Sequence, residues 1–223
     1  MEDKKTESIG NQILELIQYD KQGQVLFVSD YAHLANAEAV NMAFSRFAKT
    51  DQLKRLGKGI YIYPQHDPEL GVLYPSLEKI AEAIAKKEKV RIKPTGAYAL
   101  NRLGISTQVP MKVTYLTDGN SRNIKVGNGA LAFKHTTPKK LATEGQITFL
   151  AIQALLELGK ESVDEKIIKR LTEVLQREGP EVVIKDAKLA PGWVAKILYS
   201  IAKKMKKDDS APSTIHETAN GNN

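Results

Sequence analysis

Apolar side chains at Ile9, Ile13, Leu14, Leu16 and Ile17 fall at helical spacing and predict an amphipathic helix ending near Asp20. Lys21-Gln22-Gly23 interrupts it, and Val25-Leu26-Phe27-Val28 is a short apolar run that predicts one small strand. Ser29 and Asp30 are capping residue types, which predicts a short second helix through Tyr31, Leu34 and Ala35. Asn36 can cap a third helix, on which Val40, Ala43, Phe44 and Phe47 share about 100° of arc. Its opposite side carries Glu38, Met42, Ser45 and Lys49, flanked by Asn41 and Arg46. Two β-prone runs, residues 53–56 and 60–63, then bracket Gly57-Lys58-Gly59 and predict a hairpin.

Beyond residue 64 the pattern loosens. Pro64, Pro68, Gly71 and Pro75 punctuate a stretch that reads as a linker. Ser76 can cap a helix through Leu77, Ile80, Ala81, Ile84 and Ala85. Residues 91–94 read as a short strand, and residues 95–103 as a small helix stopped by Gly104. Alternation over 111–116, with 122–126 and 130–134 as partner strands, predicts a small antiparallel sheet. Helical spacing returns over 146–158, 164–176 and 190–203. The polar remainder from Lys204 has almost no apolar anchor and reads as a disordered tail. The fold expected is therefore α+β. A winged helix-turn-helix domain (1–66) precedes a mixed α/β domain with a small antiparallel sheet and packed helices (72–203), then the tail (204–223).

Charge sharpens this picture. The chain of 223 residues carries a net +7, unevenly spread. Residues 1–70 hold 8 Lys/Arg against 10 Asp/Glu, whereas 71–145 hold 13 against 5. Inside the acidic first third, residues 44–63 nonetheless carry five cations against the single acid Asp51. An aromatic anchor, a mixed polar helix face and a cationic β-loop are what a DNA-reading module needs. Asn41 can pair with adenine, Arg46 with guanine or phosphate, and Met42 can meet a thymine methyl. Ser45 and Lys49 share that face, and Lys54, Arg55 and Lys58 are placed to reach phosphates or a minor groove. The competing reading is a solvated helix face and an ordinary hairpin with charged edges. The charged start, the lack of a long apolar run and the absence of cysteine predict a cytoplasmic protein without disulfides.

The segment 53–61, Leu-Lys-Arg-Leu-Gly-Lys-Gly-Ile-Tyr, resembles the L-x-R-hydrophobic-x-x-G-hydrophobic-Y wing of the AbiE-type antitoxins. Gly96, Ala99, Leu100, Gly104, Gln108 and Pro110 are similar in spacing to the segment that opens that family's second domain. The resemblance covers residues 8–200. It implies a transcriptional regulator of a type IV toxin–antitoxin system. Its winged domain binds inverted repeats in double-stranded operator DNA and represses its own operon. Its second domain counteracts a nucleotidyltransferase-like toxin. The DNA-contacting residues it implies are Asn41, Met42, Ser45, Arg46, Lys49, Lys54, Arg55 and Lys58. The alternative is a winged-helix regulator whose second domain binds an unrelated partner or effector.

Enzyme chemistry finds little footing. His33, His66, His135 and His216 are scattered without metal-ligand spacing, no phosphate-binding glycine loop occurs, and no cofactor is expected. Gly127-Asn128-Gly129 lacks the strand-to-helix setting of a dinucleotide loop. Residues 182–188 resemble the acidic-x-Lys end of a nuclease strand, with Asp186 and Asp118 as carboxylates for a metal ion. Asp118 sits in an Asp-Gly pair where a turn is sufficient, and Asp186 lies two predicted helices away from the sheet. Trp193, after Pro191-Gly192, reads as a helix-docking core residue.

Overall fold

The computed structural model describes residues 8–18 and 23–209. It is a mixed α+β protein with eight α-helices among those residues and small sheets that are largely antiparallel. The described residues fall into two compact units: those up to 93 with 111–136, and 94–110 with 137–209. α3 and the strands over 112–135 thus share a unit with the N-terminal elements, whereas the sequence reading grouped them with the C-terminal helices.

In the first unit, α1 (Ile9–Gln18) is followed by β1 (Val25–Phe27), α2 (Ala37–Lys49), β2 (Lys54–Gly57) and β3 (Ile60–Ile62). Residues 19–22, where the first predicted helix was to end, lie outside the described residues. The strands form an antiparallel sheet of order β1–β3–β2. Asn36 caps α2 through its Oδ1, which accepts from the Ala39 N–H at 2.9 Å. Val40, Ala43, Phe44 and Phe47 are buried as the helical period requires, and Phe44 is fully enclosed. Tyr31 and Tyr61 each bring a ring to within 5.2 Å of Phe44, so one aromatic cluster ties helix, turn and sheet together.

The short second helix is not α-helical. Residues Val28–Tyr31 form a 3-10 turn, entered from Phe27 without a side-chain cap, so Ser29 and Asp30 lie inside the turn. Val28 and Tyr31 are both buried there, and the three-residue period of a 3-10 turn places them on one side. The predicted linker also differs: β4 (Gln65–Asp67) and β5 (Gly71–Leu73) pair as a hairpin. The Asp67 carboxylate accepts the Leu70 N–H at 2.8 Å and the Glu69 N–H at 2.9 Å, which closes the turn. Those two bonds, with Leu70 the stronger influence, hold the Asp67 carboxyl below the usual aspartate range.

α3 (Leu77–Glu88), capped by Ser76, packs on a sheet that completes the unit. Its strands are β7 (Lys112–Thr117), β8 (Arg122–Val126) and β9 (Gly129–His135). β6 (Ile92–Thr95) begins in this unit, and the sheet order is β6–β7–β9–β8. β8 and β9 are antiparallel as expected, but β7 runs parallel to β9. The reason is topological: the Gly127-Asn128 turn folds β8 back on β9, and β9 then inserts beside β7, which already runs in its direction.

The second unit is helical: α4 (Ala97–Arg102), α5 (Gln146–Leu158), α6 (Glu165–Leu175), α7 (Pro180–Ala187) and α8 (Gly192–Asp209). Ala151, Leu155, Leu171, Leu175, Val183 and Leu198 are buried in its core, with Trp193 packed against them. α8 runs six residues past the expected end at 203 because Met205 is buried in the same core. Residues 204–209, read as tail, are helical, and 210–223 lie outside the described residues.

Candidate nucleic-acid interface

The helical period that buries Phe44 turns Asn41, Met42, Ser45, Arg46 and Lys49 outward, and all five are exposed. Met42 is 60% exposed, a large apolar side chain left in solvent at the middle of a polar face. Asn41 is partly occupied: its Nδ2 donates to the Ala37 carbonyl at 2.7 Å. That bond uses one of the two Nδ2 hydrogens, leaving the other N–H and Oδ1 for an adenine edge.

The link from α2 to the hairpin is stiff. Thr50 closes the helix, its N–H donating to the Arg46 carbonyl at 3.0 Å. Asp51 follows with φ +60°, a left-handed conformation that Asp tolerates better than most residues. Its carboxylate accepts from Lys54 Nζ at 2.8 Å. The hydrogen bond and the charge of Lys54, with a smaller contribution from His66, hold the Asp51 carboxyl below the usual aspartate range. Lys54 is therefore engaged within the protein.

Arg55 and Lys58 are exposed on the hairpin. The register shifts between Arg55 and Gly57 where the strand bulges, and Leu56 is buried there. Gly59, at φ +69°, supplies the left-handed residue that a turn this tight requires. Arg55 Nε donates to the Gly57 carbonyl at 3.3 Å, a long bond that leaves the rest of the guanidinium outward.

Sequence reasoning left out the neighbour of the hairpin. β2 lies beside β8, which carries exposed Lys125. Lys125 and Lys112 both stand opposite Ala130 in register, one on each side, and so share a sheet face. The excess of cations over 71–145 was the signal, and ten of those 13 cations belong to the same compact unit as α2. That unit holds 18 Lys/Arg against 14 Asp/Glu, so the acidic first third does not stand alone.

The carboxylates weighed for a nuclease have other partners. Asp118 accepts from the Arg91 N–H and from Arg91 Nε, each at 2.8 Å, and the Arg91 bonds hold it below the usual aspartate range. Residues 182–188 are not a strand; most of them form α7, where Asp186 is buried and accepts the Glu144 and Gly145 N–H groups. Among the described residues no group of three His, Asp or Glu can hold a metal ion, and no helix is long and apolar enough to cross a membrane. Gly127-Asn128 is the β8–β9 turn.

No curated protein matches this chain. Residues 12–183 match the model of a family of unknown function, DUF6088, across well over half of the sequence. The chain belongs to the DUF6088 family.

Proposed function

We propose that residues 9–62 are a winged helix-turn-helix module for duplex DNA, and that the protein is the antitoxin and autorepressor of a type IV toxin–antitoxin operon. One observation carries the DNA reading. α2 buries an aromatic face and leaves Asn41, Met42, Ser45, Arg46 and Lys49 exposed, next along the chain to a cationic hairpin. The helix is 13 residues long, about 20 Å at 1.5 Å per residue, enough to lie in a major groove. In that pose Arg46 meets a guanine edge or a phosphate, Met42 a thymine methyl, and Lys58 a flanking phosphate. Such a protein works by occupancy of its operator and performs no catalysis.

The antitoxin half of the proposal rests on the resemblance of residues 53–61 and 96–110 to the AbiE-type antitoxins. Footprinting on the DNA upstream of the protein's own reading frame tests the first half. Protection of an inverted repeat is expected; no protection at low salt removes it. Co-expression with a nucleotidyltransferase-like product of the adjacent gene tests the second, by rescue of growth.

A further inference from the structure

β1 is an edge strand, and its pairing fixes which way its backbone faces. Val28 N–H donates to the Gly59 carbonyl at 3.0 Å, and Tyr63 N–H donates to the Gln24 carbonyl at 3.3 Å. In an antiparallel ladder these bonds alternate, so residues 24, 26 and 28 bond toward β3. The N–H and C=O groups of Val25 and Phe27 then point away from the sheet, and no described residue meets them.

On that side lies a groove of about 490 Å³ between β1 with its 3-10 turn and α3. It continues past Gln24 and Val25 into a hollow of about 370 Å³ beside Pro75 and Lys79. Phe27 and Ala83 give it apolar walls, and Lys79, Lys86, Lys87 and Lys89 line its rim. Among the described residues Asp30 is the one acid lining it, and it pairs with Lys87. Lys79, Lys86 and Lys89 form no ion pair among the described residues.

We infer that this edge is a docking site for an extended acidic segment of a partner protein, which adds to β1 as a strand with carboxylates beside Lys79, Lys86 and Lys89. Alternating donors and acceptors at Val25 and Phe27 suit a peptide backbone, and side chains at every second position can face the lysines. A phosphate chain fits worse, because it has no donor for the two outward carbonyls. The inference stands apart from the DNA-reading proposal and uses none of its DNA-contacting side chains.

The test uses the full-length chain and a blocked heptapeptide of alternating Glu and Val. Binding is expected to shift the Val25 and Phe27 amide resonances and slow their hydrogen exchange. The variant Lys86→Glu/Lys89→Glu, or Lys79→Glu, should bind roughly tenfold or more weakly, as should a peptide with Lys in place of Glu. N-methylating one alternate set of peptide amides should abolish binding, while the other set is tolerated. No binding at millimolar peptide, indifference to peptide charge, or tolerance of both methylated sets overturns the proposal. So does a Lys86→Glu/Lys89→Glu variant that loses duplex DNA instead of peptide.

Discussion

Two helices of this protein treat their polar groups in opposite ways. At the start of α5, Asp186 accepts the Glu144 and Gly145 N–H groups at 3.0 and 2.8 Å. Glu178 takes the Ile147 and Thr148 N–H groups at 2.6 and 2.8 Å, and the Thr148 hydroxyl at 2.7 Å. A Cβ at position 145 would collide with the Glu178 carboxylate, so the close approach requires glycine. Most N–H groups at this end are consumed internally, which is how a helix terminus becomes scaffold. On α2 the side chains of Met42, Ser45, Arg46 and Lys49 point outward instead, while Asn36, Asn41 and Thr50 bond back to the helix. Polar groups held in solvent cost little there and remain available to another molecule. The contrast separates the part of the chain that holds shape from the part that can recognise something.

Breaking the scaffold side gives the largest effects. Phe44→Ala removes the ring on which Tyr31, Phe47 and Tyr61 converge, and should destabilise the protein by about 3–5 kcal/mol. Denaturant unfolding measures it; a loss under about 1 kcal/mol would mean that the cluster does not hold α2 to the sheet. Asp186→Ala strips the acceptor from two N–H groups, one of them buried, and should cost about 1–3 kcal/mol while leaving DNA binding unchanged. Asp186→Asn keeps one acceptor oxygen and should fall between the variant and the parent.

The recognition side should respond in binding and not in stability. Arg46→Ala should weaken operator binding by about 1–3 kcal/mol and relax preference at one base position if it reads a base. Lys58→Ala should weaken all sequences alike and flatten the slope of log K against log salt by about 0.9. An Arg46/Lys58 double variant that binds as the parent does in a low-salt gel shift would remove both from the interface. Lys54→Ala should leave the salt slope nearly untouched, because Lys54 already serves Asp51.

Legibility in the sequence divided along the same line. α2, its Asn36 cap and its buried face could be read from residue type and period alone, as could the helical spans of α5 and α6. The period of α2, α5 and α6 and the Asn36 cap depend on local chemistry. α7 could not be read so, because Val182-Val183-Ile184 favours a strand by propensity, and what makes it helical is Pro180 at its start and burial of Val183. The parallel β7–β9 pair and the approach of β2 to β8 arise from contacts far apart in sequence, which no window of residues reports. For the same reason the exposed face of α2 was legible while the position of Lys125 beside β2 was not; the local Lys54–Asp51 pair depends on the left-handed backbone of Asp51, which residue types alone do not report.

The smallest expected effect tests the joint between the two behaviours. Asp51 lies at the passage from α2 to the hairpin, and its carboxyl sits low because Lys54 donates to it and lies close in charge. A group whose folded value is depressed contributes to stability above its unfolded value, and loses that contribution as pH falls through the folded one. A titration of the Asp51 carboxyl by NMR should therefore find a midpoint below that of an unstructured aspartate, and Lys54→Ala should raise it toward that value. The pair is open to solvent, so added salt should shrink the difference. A midpoint unmoved by Lys54→Ala would make Lys54 a free cation, returning it to the set of residues available to phosphate and moving the line between scaffold and interface three residues toward α2.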